Sequence, residues 1–177
     1  MDNIIKILNN SGLVAIPTET VYGLIGNPED KKAVDKLYKI KNRSYDKKLS
    51  IFLDDRNKIK DICIVNDFAK NFIQNELKNN TIILEKKNKD YLNLISNDFL
   101  GIRIPDNKFI IELLKKYNKP VFATSINNSG EKECLTYQEV LKKFGNKIDL
   151  IIENETIFSG KPSNIFKIEN DKIIKIR

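Results

Sequence analysis

Residues Gly12 to Gly26 read GLVAIPTETVYGLIG: four apolar side chains run into a proline and then straight into Thr-Glu-Thr. Leu13 to Ile16 predicts a short strand buried on both faces, because nothing in it alternates toward water. Pro17 lacks a backbone donor and ends the ladder. Beyond it the chain turns polar, then aromatic, with two further glycines at Gly23 and Gly26. The stretch is either an ordinary strand exit or a binding loop set at the carboxyl end of a strand.

On either side of this stretch the chain alternates helices and strands. Asp2 to Asn10 predicts a first helix, with Ile4, Ile5 and Leu8 on one side. Asn27-Pro28-Glu29-Asp30 predicts the start of a second, with Asn27 as N-cap and Pro28 in the first turn, running through Lys41. Further helices are expected at Asp67 to Leu77, Lys108 to Tyr117 and Tyr137 to Phe144. Strands are expected at Leu49 to Leu53, Thr81 to Leu84, Gly101 to Ile104, Val121 to Thr124, Leu150 to Ile152, Ile165 to Ile168 and Ile173 to Ile176. This pattern with short connections predicts one α/β domain over residues 1–177, with a twisted mixed sheet flanked by helices.

The chain has 177 residues, 41% of them hydrophobic and 31% charged, which suits a globular protein with a real core. No apolar run reaches the length of a membrane span, and the N-terminus lacks a signal-peptide layout. Cys63 and Cys134 stand far apart and outside any CxxC arrangement, so reduced structural thiols in a cytoplasmic protein are expected. There is no histidine, which excludes Ser-His-Asp and Cys-His hydrolases and any zinc site built on imidazole. There is no Walker P-loop either. A net charge of +7 favours anionic partners, nucleic acid or nucleotide phosphates.

Polar chemistry gathers in five places. The strands Leu13–Ile16 and Val121–Thr124 both exit into hydroxyl- and amide-rich loops, so Thr18, Thr20, Ser125 and Asn127 could line one crevice outside strand ends. KIKNRSYDKK, Lys39 to Lys48, is a cationic loop able to grip a polyphosphate, or else a solvated basic turn. In GIRIP, Arg103 interrupts an apolar strand and must pair with a structural acid or hold a ligand carboxylate. GKPSN, Gly160 to Asn164, is a further turn-rich approach to a strand.

Taken in order, PTETVYGL, KNR with its downstream DKKL, GIRIP, SINNSG, KPSN and the closing IIKIR resemble the Sua5/YrdC/YciO family from about Gly12 to the C-terminus. The resemblance implies a YrdC-like α/β fold with a basic concave cavity, in the short single-domain form. It implies a threonylcarbamoyl-AMP synthase, a nucleotidyltransferase that makes L-threonylcarbamoyladenylate and pyrophosphate from L-threonine, bicarbonate and ATP. The product would pass to a transferase complex that forms the t6A base of tRNA, and tRNA itself is a candidate partner. Thr20, Arg103, Ser125 and Ser163 match positions that hold L-threonine. Arg43, Lys47 and Asn127 match nucleotide-binding positions, and Lys41 and Arg43 belong with Ser125 and Asn127 to the family's Lys-Arg-Ser-Asn set, the first two as its catalytic cations. Lys175 stands where the family often has a phosphate-contacting arginine. Mg²⁺ is expected with ATP. The cations are expected in a cavity open to water, because burying an unpaired charge is costly.

The sequence departs from the family pattern at Ser44, Lys48, Ile126, Asn164 and Lys175. Two other readings compete with the synthase. A YciO-like RNA-binding protein would suit the charge, although there is no Trp and no alternation of basic and aromatic residues. A carbamoyl-transfer domain of hydrogenase maturation would sit in a longer chain with zinc-finger-like segments.

Overall fold

A computed structural model describes residues 1–153 and 159–177. Among the described residues, nine strands form one sheet in the order β7-β1-β2-β6-β3-β5-β4-β8-β9. In chain order they are β1 (Val14–Pro17), β2 (Tyr22–Gly26), β3 (Ser50–Phe52), β4 (Asn80–Glu85), β5 (Phe99–Arg103), β6 (Val121–Ser125), β7 (Leu150–Ile151), β8 (Asn164–Glu169) and β9 (Lys172–Lys175). The sheet is mixed: β1–β7, β3–β5 and β4–β8 run parallel, and the remaining neighbours run antiparallel.

The two-residue period of a strand sorts side chains to the two faces. Leu13, Ala15, Leu24 and Ile51 join one core with α2 (Lys31–Ile40), α3 (Ile59–Ile62), α4 (Asp67–Glu76) and α6 (Tyr137–Phe144). Val14, Ile16, Ile25, Val121 and Phe52 join a second core with α1 (Asp2–Leu8) and α5 (Lys108–Tyr117). Helices therefore cover both faces, and Leu13 to Ile16 are all fully buried, as their unbroken apolar run predicts. Among the described residues, no helix is long and apolar enough to cross a membrane. Cys63 and Cys134 are both free and buried.

Two expectations need correction. The polar-then-aromatic stretch after Pro17 is not a long loop: only residues 18–21 turn, and Tyr22–Gly26 return as β2, antiparallel to β1, with Pro17 opposite Tyr22. The N-cap of α2 is Asp30, not Asn27. The Asp30 carboxylate accepts from the backbone N–H of Lys32 at 2.8 Å and Ala33 at 3.3 Å. Asn27 caps only its own turn, accepting from the Glu29 N–H at 3.0 Å, so Pro28 precedes the helix. A carboxylate at the cap also meets the positive end of the helix dipole.

Candidate active site

One cavity runs across a face of the sheet. On β3, Ser50 and Phe52 share a face, and on β6 so do Ala123 and Ser125; all four line the cavity. Register carries that face outward. Gly23 of β2 lies opposite Ser125, Arg103 of β5 lies opposite Phe52, and Thr81 of β4 lies opposite Ile165 of β8. Thr18 and Thr20 from the β1–β2 turn, Arg43 and Lys48 from the basic loop, and Pro162, Ser163 and Arg177 complete the wall. β2 separates β1 from β6, so the two hydroxyl-rich exits meet across it rather than as neighbouring strand ends. The crevice expected outside the strand ends is thus a cavity across the sheet's surface. A Cβ on Gly101, which lies opposite Ser50 in the register, would come within 2.6 Å of Ser50 Oγ.

Thr18 holds the turn together. Its hydroxyl accepts from the backbone N–H of Thr20 at 3.1 Å and donates to the carbonyl of Val21 at 2.7 Å. Thr20 is thereby fixed beside Arg103, whose Nη2 donates to Thr20 Oγ1 at 3.2 Å and to Glu19 Oε1 at 2.5 Å. The structural-acid alternative for Arg103 is therefore realised, by a residue inside the opening stretch. The Phe52 ring lies 6.0 Å from the Arg103 guanidinium carbon. Ser163 is buried, and its hydroxyl shares a 2.8 Å hydrogen bond with Thr81 Oγ1.

The basic loop is organised by Arg43. Its Nε donates to the Lys47 carbonyl at 2.9 Å and its Nη2 to the Lys48 carbonyl at 2.8 Å. Burial draws its guanidinium pKa below the usual value. Lys47 is exposed and reaches Ser129 Oγ at 2.8 Å, away from the lining; Lys48 lines the cavity instead.

Lys41 departs from expectation. It is 1% exposed, and its ammonium donates to the Ser125 carbonyl and, at 2.7 Å, to Asn127 Oδ1. The expected water-open setting is therefore wrong for this cation. Burial, followed by the nearby Arg43 charge, pushes its pKa down to about 7. Both of its hydrogen-bond acceptors are carbonyl oxygens, and neither is a carboxylate. Asn127, half-buried, does not line the cavity; it links Lys41 to Ser125, whose hydroxyl donates to Asn127 Oδ1 at 3.1 Å.

Lys175 is exposed on β9 and lies outside the lining, whereas Arg177 enters it. Arg177 Nε and Nη2 both donate to the Ser163 carbonyl, at 3.1 and 3.0 Å. Thr20, Arg43, Arg103, Ser125 and Ser163 thus share one cavity, and Lys41 and Asn127 brace it from behind. Sequence reasoning did not single out Glu19, Phe52 or Thr81. Alternation along the predicted strands was the available signal for Phe52 and Thr81; none pointed to Glu19, which needed its partner 84 residues away.

The lining carries four cationic side chains, several hydroxyls and no acidic side chain. Among the described residues, no group of three or more His, Cys, Asp or Glu could hold a metal ion. A resident Mg²⁺ does not fit this donor set.

The family model described as telomere recombination, that of the Sua5, YciO and YrdC proteins, matches residues 6–177. A Methanocaldococcus jannaschii protein provisionally named threonylcarbamoyl-AMP synthase is 40% identical over 97% of this chain and 82% of its own length. A threonylcarbamoyl-AMP synthase of Buchnera aphidicola is 34% identical over 95% of this chain and 98% of its own. In structure, P. abyssi Sua5 complexed with L-threonine aligns with a TM-score of 0.90 at 24% identity, over 99% of this chain. This chain spans about half of that Sua5, 52% of its length. From the family model and the 40% identical relative, the chain belongs to the Sua5/YrdC/YciO family.

Proposed function

We propose that this protein is an L-threonylcarbamoyladenylate synthase, a nucleotidyltransferase acting on L-threonine, bicarbonate and ATP. The names of the 40% and 34% identical relatives support the reading along nearly the whole chain. One observation carries it: a single cavity joins Arg103 and Thr20 to Arg43 and Arg177, with hydroxyls between them and no acidic side chain in its lining. Such a lining suits two anions brought face to face.

The amine of threonine takes up bicarbonate with loss of water, giving a carbamate. A carbamate oxygen attacks the α-phosphorus of ATP, the bond to the β-phosphate oxygen breaks, and pyrophosphate leaves. The protein need supply no nucleophile; it orients the reactants and neutralises developing charge. Arg103 with Thr20 takes the amino-acid end, and Ser125 and Ser163 offer hydroxyls to it. Arg43, Lys48 and Arg177 face the phosphates. Lys41 is a positioning residue that braces Ser125 and Asn127. Mg²⁺ belongs to this scheme as a companion of the ATP phosphates. The product would serve t6A formation on tRNA through a recipient transferase complex, in the cytoplasm.

The test is pyrophosphate release from ATP by the purified chain, with and without L-threonine and bicarbonate. Release that requires both, with serine a poorer substitute, is expected. No release from folded protein would overturn the reading and favour a YciO-like RNA-binding role.

A further inference from the structure

The Glu19–Arg103 pair is one bond short of closing. Arg103 Nη2 takes Glu19 Oε1 at 2.5 Å, yet Arg103 Nε and Glu19 Oε2 are both buried without a hydrogen-bond partner. A carboxylate and a guanidinium able to form a two-bond fork would ordinarily use these two atoms on each other. Here one donor and one acceptor of the same ion pair stay buried and unpaired, in side chains only 8% and 17% exposed. Each unpaired atom costs free energy that a suitable ligand would recover.

A ligand that satisfies both must carry an anion and a cation close together. A carboxylate alone would satisfy Arg103 but would face the negative charge of Glu19. An amine alone would do the reverse. An α-amino acid carries both groups on one carbon and is neutral overall, as the pair is. Glu19 also has a route to such an amine. It lines a recess that adjoins the main cavity and shares Thr20, Pro162 and Ser163 with it.

We propose that Glu19 is the specificity-determining residue for the amino-acid substrate, accepting from its ammonium as it enters, before that nitrogen gives up a proton and takes up bicarbonate, while Arg103 takes its carboxylate. The inference rests on the synthase reading for the identity of the amino acid. On binding, the pair turns its unpaired edge toward the cavity, with Thr20 Oγ1 keeping its hold on Arg103 Nη2. Hydroxy acids of the same shape are then rejected, because their hydroxyl brings no charge to balance Glu19.

Calorimetric titration of the whole chain with L-threonine and with 2,3-dihydroxybutanoate, its counterpart bearing a hydroxyl for the amine, tests this. Wild type should prefer threonine by about tenfold or more, the worth of one hydrogen bond to a charged group. Glu19→Gln should bring the ratio close to one, and Glu19→Asp, which keeps the charge, should restore a preference. Nucleotide binding, measured with ADP in each variant, should stay near wild type and reports that the site is folded. Equal weakening of both ligands in Glu19→Gln would mean that Glu19 only props Arg103, and would overturn the inference, as would an unchanged ratio. Failure of wild type to bind either ligand would remove the synthase reading as well, so the two failures are distinguishable.

Discussion

Lys41 Nζ donates to Asn127 Oδ1 at 2.7 Å across 86 residues of sequence, in a site where the lysine is 1% exposed. The end of a helix and the exit of a central strand are tied together by a lysine with no acidic hydrogen-bond partner. Its charge state is therefore set by burial. Between about pH 7 and the ordinary lysine value of 10.5 the unfolded chain binds more protons than the folded one. The Lys41 contribution to stability consequently rises with pH across that window and is lost as pH falls toward about 7. Lys41→Met removes the titrating group while filling its volume. The stability difference between wild type and variant, read by urea unfolding, should move in favour of wild type from about pH 6.5 to about pH 9. A difference independent of pH would mean that Lys41 keeps an ordinary pKa.

Arg43 holds the carbonyls of Lys47 and Lys48, so one side chain both shapes the basic loop and faces the cavity. Arg43→Ala should abolish adenylate formation, by about a hundredfold or more, while the thermal transition stays within a few degrees. Arg43→Lys keeps the charge but loses the fork and should recover only part of the rate. Pyrophosphate release measures both, and near-normal turnover of the alanine variant would end the nucleotide role.

Removing Arg103 leaves the Glu19 carboxylate, only 17% exposed, without its counter-charge. Arg103→Ala should cost about 3 kcal/mol of stability in chemical denaturation. Adding Glu19→Gln should return most of that stability without returning threonine affinity. In kinetics, the single variant should raise the threonine requirement far more than the ATP requirement. An equal rise in both would make Arg103 a purely structural residue.

Arg177 is pinned to the Ser163 carbonyl at the cavity wall, whereas Lys175 faces solvent on the outermost strand. Arg177→Ala should lower turnover about tenfold or more, mainly through weaker nucleotide binding, while Lys175→Ala should leave it within about twofold. The opposite ranking would return the phosphate contact to Lys175.

The opening stretch shows how far local reading reaches. Leu13 to Ile16 could be read as doubly buried, because an unbroken apolar run suits no half-exposed strand. The return strand Tyr22–Gly26 could not, because its threonine-rich lead looks like a loop until β1 and β6 supply its pairing. Arg103 was legible as a cation in need of a partner. Which partner it takes was not, since Glu19 and Arg103 meet only when β5 lies across the sheet from the β1–β2 turn.

By itself, the sequence determined the α/β class, the absence of imidazole chemistry, the cationic loop and the hydroxyl-bearing exits, all of which are local properties of residue type and spacing. Tertiary structure alone decided that the cavity spreads over a sheet face, that Lys41 lies buried behind it, that Arg177 rather than Lys175 lines it, and that Glu19 meets Arg103. Each of these depends on strand register and on burial. Register sets which side chains share a face, and burial sets which charges keep water. Both arise from contacts between residues far apart in the chain, so no short window of sequence contains them.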